Sequence, residues 1–112
     1  MNDAGKLSLD MRELLLELRM ELASLYDGDL ADLVLYGSRA RGDAEKESDV
    51  DVLVVLKGEV NPSREVLRTS GILSDLSLRH DAVISCVFVS EAEYSVGKGP
   101  LIRNILREGI RI

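Results

Sequence analysis

The chain of 112 residues contains no tryptophan, one phenylalanine, one histidine and one cysteine. A single cysteine, Cys86, excludes an intramolecular disulfide and fits a reducing compartment. One Cys and one His cannot form a zinc site without several carboxylates. The chain also lacks an apolar run near the roughly 20 residues of a membrane-spanning helix, and its N-terminus lacks a secretion signal. We therefore expect a cytoplasmic protein.

The overall composition is that of an ordinary soluble globular protein, with 46% hydrophobic and 30% charged residues. At this length we expect a single domain, residues 1–112, with one core. The formal net charge of −6 disfavours direct binding to nucleic acid, because such binding draws on Lys and Arg contacts to phosphate. The same charge permits a basic protein partner, or it simply keeps a small protein soluble.

One stretch, Leu33 to Leu56, contains two candidate sites next to apolar strands. Gly37 and Ser38 follow the first strand, where glycine lets the backbone approach an anion and N–H groups and a hydroxyl can bind phosphate oxygens. Asp49 and Asp51 begin the second strand, and their spacing of two puts both carboxylates on one face. The stretch therefore predicts a phosphate site beside a cation site.

The side chains of this stretch suit Mg²⁺ and phosphate. Mg²⁺ prefers oxygen ligands and usually takes one or two protein carboxylates, which Asp49 and Asp51 supply. Their alternative role is that of solvated carboxylates at a strand start. Arg39 and Arg41 lie where guanidinium groups could bind phosphate bidentately, with Arg39 the preferred candidate. The alternative for either arginine is a surface ion pair with a neighbouring acidic residue.

The two motifs together resemble a known family. Gly37-Ser38, followed after ten residues by Asp49 and Asp51, resembles the signature of the DNA polymerase β-like nucleotidyltransferase superfamily. More closely, GSRARGD followed by SDVDVLV resembles the minimal nucleotidyltransferase (MNT) domains, small proteins often found as antitoxin partners of HEPN toxins. The resemblance continues weakly to the tail LIRNILREGI, so it covers most of the chain.

This resemblance implies a fold, substrates and a third catalytic residue. The fold would be α+β (α/β-like), a small mixed β-sheet with helices packed on one side, and the reaction would use ATP with one or two Mg²⁺ ions. Asp49 and Asp51 would be catalytic and metal-binding. The superfamily usually has a third carboxylate on a later strand, and Asp81 is the acidic residue placed to be that catalytic and metal-binding group. If the strand is offset by two pleats, Ser85 takes that position and the base is missing.

Hydrophobic periodicity and capping residues predict the remaining elements. We predict helices at about Ser8–Tyr26, Pro62–Leu78 and Leu101–Glu108, a short helix from Ser90 through Tyr94, and strands at about Asp32–Tyr36, Asp49–Leu56 and Asp81–Val89.

Three functions remain open from the sequence. The resemblance favours a transferase that moves AMP from Mg-ATP to a hydroxyl, that of a tyrosine, on a cognate HEPN ribonuclease toxin and so acts as its antitoxin. The second is a catalytically weak antitoxin that masks the toxin by binding. The third is small-molecule nucleotidyl transfer with a partner subunit. The protein would form a hetero-oligomer with the toxin or a homo-oligomer.

Overall fold

A computed structural model describes residues 7–42 and 49–112 of the chain. A short 3-10 helix, Asp27–Asp29, joins the first helix to the first strand. The other elements of the described residues are, in chain order, α1 (Leu9–Tyr26), β1 (Leu30–Tyr36), α2 (Ser38–Arg41), β2 (Val50–Leu56), α3 (Pro62–His80), β3 (Ile84–Ser90), α4 (Glu91–Val96), α5 (Gly99–Glu108) and β4 (Ile110–Arg111).

The strands form one mixed sheet in the order β3-β2-β1-β4. β1 is antiparallel to both β2 and β4, whereas β2 and β3 are parallel. A parallel pair needs a crossover connection, and α3 supplies it between β2 and β3. The predicted small mixed sheet with packed helices is therefore confirmed.

The sheet has a core on each face. The larger core joins α1 and α3 to one face of the sheet, and the second core joins α5 to the opposite face. The prediction that helices pack on one side of the sheet holds for the two long helices, α1 and α3. α5 packs on the opposite side. The second core contains Val34, Leu53, Val55, Val89, Ile102 and Ile105.

The long helices begin where their capping residues predict. The Ser8 hydroxyl accepts a hydrogen bond from the Met11 N–H at 3.1 Å at the start of α1. The Asn61 side chain accepts one from the Arg64 N–H at 3.3 Å before Pro62, the first residue of α3. Such side chains satisfy N–H groups that have no partner within the helix. The predicted starts of both helices are confirmed to within one residue.

The third strand begins later than predicted. α3 continues to His80, and Asp81 forms its C-cap in the left-handed conformation, with φ 49° and ψ 51°. β3 then starts at Ile84 rather than at Asp81. The left-handed cap ends the helix with a turn that aspartate tolerates, so Asp81 belongs to the helix terminus. The prediction of a strand from Asp81 was therefore wrong.

The fourth strand was not predicted from the sequence. Only two residues form β4, Ile110 and Arg111, and they pair with Leu35 and Val34. A strand this short has no alternating pattern, so only pairing with β1 defines it. Among the residues that the structure describes, no helix is long and apolar enough to cross a membrane.

Candidate active site

The two aspartates lie at the start of β2. Asp49 is exposed and immediately precedes the strand, whereas Asp51 is its second residue and is half-buried. Asp51 shares its face of the sheet with Leu53, because successive strand residues alternate between faces. Leu53 belongs to the core under α5. The Asp51 carboxylate therefore lies on the α5 side of the sheet, and Asp49 is close enough for its charge to raise the pKa of Asp51.

The two motifs are in direct contact through Gly37 and Asp51. A Cβ atom built at Gly37 would lie 2.5 Å from Asp51 Oδ2, closer than real Cβ contacts come. The φ angle of Gly37 is +76°, which side chains rarely adopt. The turn after β1 therefore depends on glycine for its conformation and for the space that the carboxylate occupies.

Ser38 starts the short helix α2 immediately after this turn. The Gly37 carbonyl accepts hydrogen bonds from the N–H groups of Ala40 and Arg41, both at 3.1 Å. The Gly42 N–H closes the turn on the Ser38 carbonyl at 3.0 Å. These bonds hold the predicted phosphate-binding pair, Gly37 and Ser38, next to the aspartates.

The two arginines of α2 lie in different surroundings. Arg41 is close enough to Asp51 that its charge lowers the pKa of that carboxyl group, and its Nη1 lies 3.4 Å from Glu108 Oε1 on α5. Arg39 instead lines a cavity beside His80 and Asp81, next to the N-terminal half of α1. The structure thus places Arg41 beside Asp51, whereas Arg39 was the candidate that the sequence favoured.

The pKa of Asp51 is raised above its ordinary value. Burial raises the pKa of Asp51, and the negative charge of Asp49 raises it further, against the opposing effect of Arg41. Burial also raises the pKa of Tyr36, the residue of β1 that pairs with Asp51, and the charge of Asp51 adds to this rise. A cation bound at the two carboxylates would offset their negative charge, which contributes to the raised pKa of both Asp51 and Tyr36.

The third predicted carboxylate, Asp81, does not join this pair. It is exposed at the end of α3 and lines the cavity that contains Arg39 and His80. His80 itself contacts Glu17, with Nε2 and Oε2 2.5 Å apart. Within residues 7–42 and 49–112, no group of three or more Asp, Glu, His or Cys side chains could hold a metal ion. Among the described residues, the candidate metal ligands are therefore the two carboxylates of Asp49 and Asp51.

This pair fits one Mg²⁺ ion. Mg²⁺ commonly binds proteins through one or two carboxylates and completes its coordination with water and substrate phosphate. Asp51 is half-buried, and burial and the neighbouring charge of Asp49 raise its pKa, so a bound cation would favour its charged form. Asp49 and Asp51 would hold the ion.

A family comparison agrees with this geometry. Residues 15–112 match the model of the nucleotidyltransferase domain. The chain belongs to the nucleotidyltransferase domain family. It is an enzyme of the class that transfers nucleotidyl groups, as the two motifs predicted.

Two named relatives come from Methanocaldococcus jannaschii. The nucleotidyltransferase is 35% identical over 77 residues to "Putative protein adenylyltransferase MJ0141". The matched residues make up 69% of this chain and 77% of the relative. It is 34% identical over 89 residues to "Putative protein adenylyltransferase MJ0604", which covers 79% of this chain and 83% of that one.

Solved structures share the fold. A "putative nucleotidyltransferase from Sulfolobus solfataricus" matches with a TM-score of 0.55 and 22% identity, over 97% of this chain and 90% of that one. A mutant of the toxin-antitoxin MntA-HpeT matches with a TM-score of 0.57 and 15% identity. The match covers 94% of this chain and 72% of that one. A toxin-antitoxin structure with AMP-PNP matches with a TM-score of 0.56 and 15% identity. The match covers 83% of this chain and 68% of that one. The predicted resemblance to MNT domains is confirmed at the level of fold.

Two residues next to the site of this nucleotidyltransferase, Glu108 and Tyr36, were not assigned a place by the sequence. Glu108 reaches Arg41 from α5, 67 residues away along the chain. Tyr36 lies beside Asp51 on β1. Ser85, which the sequence offered as the alternative to Asp81, lies beside Asp51 on β3. The position of Tyr36 directly before Gly37 was a usable signal, whereas the position of Glu108 depends on how α5 packs.

Proposed function

We propose that this nucleotidyltransferase is a protein adenylyltransferase that transfers AMP from ATP to a hydroxyl group of a HEPN-type ribonuclease toxin, that of a tyrosine, and thereby acts as its antitoxin. The observation that carries this proposal is the contact between Gly37 and Asp51. It puts the turn suited to phosphate against a carboxylate suited to the metal of a nucleotide. The names of the two M. jannaschii relatives support a protein acceptor.

The toxin-antitoxin structures of the same fold support a toxin as the partner, and the one with AMP-PNP supports an adenine nucleotide. An attached AMP adds negative charge to the toxin. Beside an RNA-binding site that charge repels the RNA backbone, which is a physical route to neutralisation.

The reaction exchanges one phosphate ester bond for another. The acceptor oxygen forms a bond to the α-phosphorus of ATP, and the bond from that phosphorus to the bridging oxygen of the β-phosphate breaks. Pyrophosphate leaves with the electron pair, and the acceptor loses its hydroxyl proton. Bound Mg²⁺ would neutralise charge that develops on the phosphates.

Each residue of the site has a distinct part in this reaction. Asp49 and Asp51 hold the metal, and Gly37 and Ser38 hold the triphosphate next to it. Arg41 contributes positive charge within reach of the same face.

The test is transfer of label from α-labelled ATP to the co-encoded or co-purified partner in the presence of Mg²⁺. We expect the wild type to label the partner and Asp49→Ala/Asp51→Ala to lose the labelling. The matched control is Glu59→Ala/Glu91→Ala, which removes the same charge from two exposed residues past the other ends of β2 and β3. This control should label the partner at the wild-type rate.

A second candidate function is a binding antitoxin with little catalysis. It is favoured by one observation, that Asp81 does not lie with the aspartate pair. If no nucleotide labels the partner and Asp49→Ala/Asp51→Ala still silences the toxin, binding alone is the function. If labelling and silencing are lost together in that variant, the enzymatic function holds.

A further inference from the structure

Three polar side chains lie in a row across the sheet at the level of Asp51. Its Cα partner on β1 is Tyr36, and its Cα partner on the parallel strand β3 is Ser85. Adjacent strands lie about 4.7–4.9 Å apart, so Ser85 is the immediate neighbour of Asp51 on the side away from Tyr36.

All three side chains lie on the same face. Tyr36 is packed against the core under α5, and so is Val87, two residues after Ser85. Residues two apart on a strand share a face, which puts Ser85 on the face of Asp51 and Leu53. Cys86, by contrast, is packed against the core on the other face. Ser85 therefore lies directly next to the proposed metal-binding carboxylate, and Asp81 does not.

We propose that Ser85 is the third residue of the active site and orients the acceptor hydroxyl without removing its proton. This inference rests on the proposed transfer to a hydroxyl group. A serine hydroxyl both donates and accepts hydrogen bonds, so Ser85 can accept one from the acceptor O–H and hold its oxygen near the α-phosphorus. It is not a base at neutral pH. The acceptor proton therefore passes to water while pyrophosphate takes the electron pair of the broken bond.

This role makes the rate of transfer depend on pH in a specific way. With no side chain on β3 to accept the proton, the rate rises with pH as the acceptor ionises, and a tyrosine acceptor ionises near pH 10. A carboxylate in place of Ser85 would act as a general base, an effect worth about 10²- to 10⁴-fold in other enzymes. It would also add a third metal ligand beside Asp51.

The experiment compares Ser85→Asp and Ser85→Ala with the wild type. We expect Ser85→Asp to raise transfer at pH 7 by about tenfold or more and to level the pH profile between pH 6 and 9. We expect Ser85→Ala to lower kcat about tenfold with an unchanged KM for ATP, which corresponds to the loss of one hydrogen bond. Ser74→Asp, at an exposed position on α3, is the control and should behave as the wild type.

A second readout does not depend on activity. Titration with Mn²⁺, followed by its electron paramagnetic resonance signal, should show binding about tenfold tighter in Ser85→Asp and unchanged binding in Ser85→Ala. If Ser85→Ala transfers at the wild-type rate with the wild-type pH profile, the inference is overturned. If the wild type transfers no label at all, the proposed function fails, and the Mn²⁺ titration alone decides. Tighter binding by Ser85→Asp then supports the placement of Ser85, and unchanged binding overturns it.

Discussion

At the scale of single residues, the site combines groups that each cost stability. Gly37 adopts a conformation that other residues rarely take, and Asp51 is half-buried next to a second carboxylate. Strained backbone and uncompensated charge tend to cluster where a ligand relieves them. Substitutions here should therefore change stability as well as activity.

Replacing Gly37 by alanine should abolish transfer and destabilise the fold. The new Cβ would lie 2.5 Å from Asp51 Oδ2, and the φ angle of +76° would strain the backbone. We expect a loss of about 1–3 kcal/mol in the free energy of unfolding, measured by urea denaturation. The control is Gly71→Ala on α3, where a Cβ meets nothing within 4 Å. That variant should gain about 0.5–1 kcal/mol. Equal stability of Gly37→Ala and the wild type would contradict the contact.

Replacing Asp51 by asparagine should stabilise the fold at neutral pH. The pKa of Asp51 is raised in the folded state above its ordinary value of 3.8, so the folded protein retains this proton longer than the unfolded chain. Stability contributed by the protonated form is present below the ordinary pKa and is lost as pH rises through the raised one. Asparagine removes that loss.

We therefore expect Asp51→Asn to raise Tm by about 1–3 °C at neutral pH in the absence of Mg²⁺. The difference should disappear below about pH 3, where wild-type Asp51 is protonated in both states. Thermal unfolding followed across this pH range measures both. The exposed Glu59→Gln serves as a control and should track the wild type. A lower Tm for Asp51→Asn at neutral pH would show that Asp51 is better compensated than its surroundings indicate.

At the scale of elements, α5 connects the second core to the phosphate site. Ile102 and Ile105 of α5 pack on the face of the sheet that bears Asp51. Glu108, in its last turn, reaches Arg41 on α2 at 3.4 Å. A bound triphosphate would compete with this carboxylate for the Arg41 guanidinium.

Glu108→Gln should therefore strengthen ATP binding. It removes a negative charge that competes for Arg41 and would repel the triphosphate. The ion pair is largely exposed, and such pairs are worth about 0.2–1 kcal/mol. We expect the KM for ATP to fall about two- to fivefold, measured by steady-state transfer kinetics. Glu91→Gln, an exposed residue on α4, is the control. An unchanged or higher KM in Glu108→Gln would mean that Arg41 does not contact the nucleotide.

At the scale of the whole molecule, the single cysteine reports on the intact fold. Cys86 lies on β3 and is packed against the larger core. Burial raises the pKa of its thiol from 9.0 to about 12. Because the thiolate is the reactive form, the folded protein should resist thiol reagents.

We expect Cys86 to react with a disulfide reagent about a thousandfold more slowly in the folded protein than in denaturant. Each unit of pKa lowers the thiolate population tenfold at a pH below both values. The reaction is followed by absorbance at a fixed pH. Ser74→Cys places a second thiol at an exposed position on α3 and should react at the ordinary rate in the same folded protein. A fast reaction of both thiols would show that β3 opens readily.

The sequence by itself determined the two motifs, the main elements and the family. Helix starts were predictable because their signals are local, namely a capping side chain followed by apolar residues three and four apart. A shared face for Asp49 and Asp51 was also a prediction from the sequence, because strand alternation depends only on spacing.

The tertiary structure decided which residue lies beside Asp51. The sequence left Asp81 and Ser85 open, because the end of α3 and the register between β2 and β3 depend on contacts between distant parts of the chain. The sequence also favoured Arg39 as the phosphate-binding arginine, whereas in the structure Arg41 lies near Asp51 and Glu108. Local patterns specify elements and their faces, but register and packing follow from which faces must be buried together.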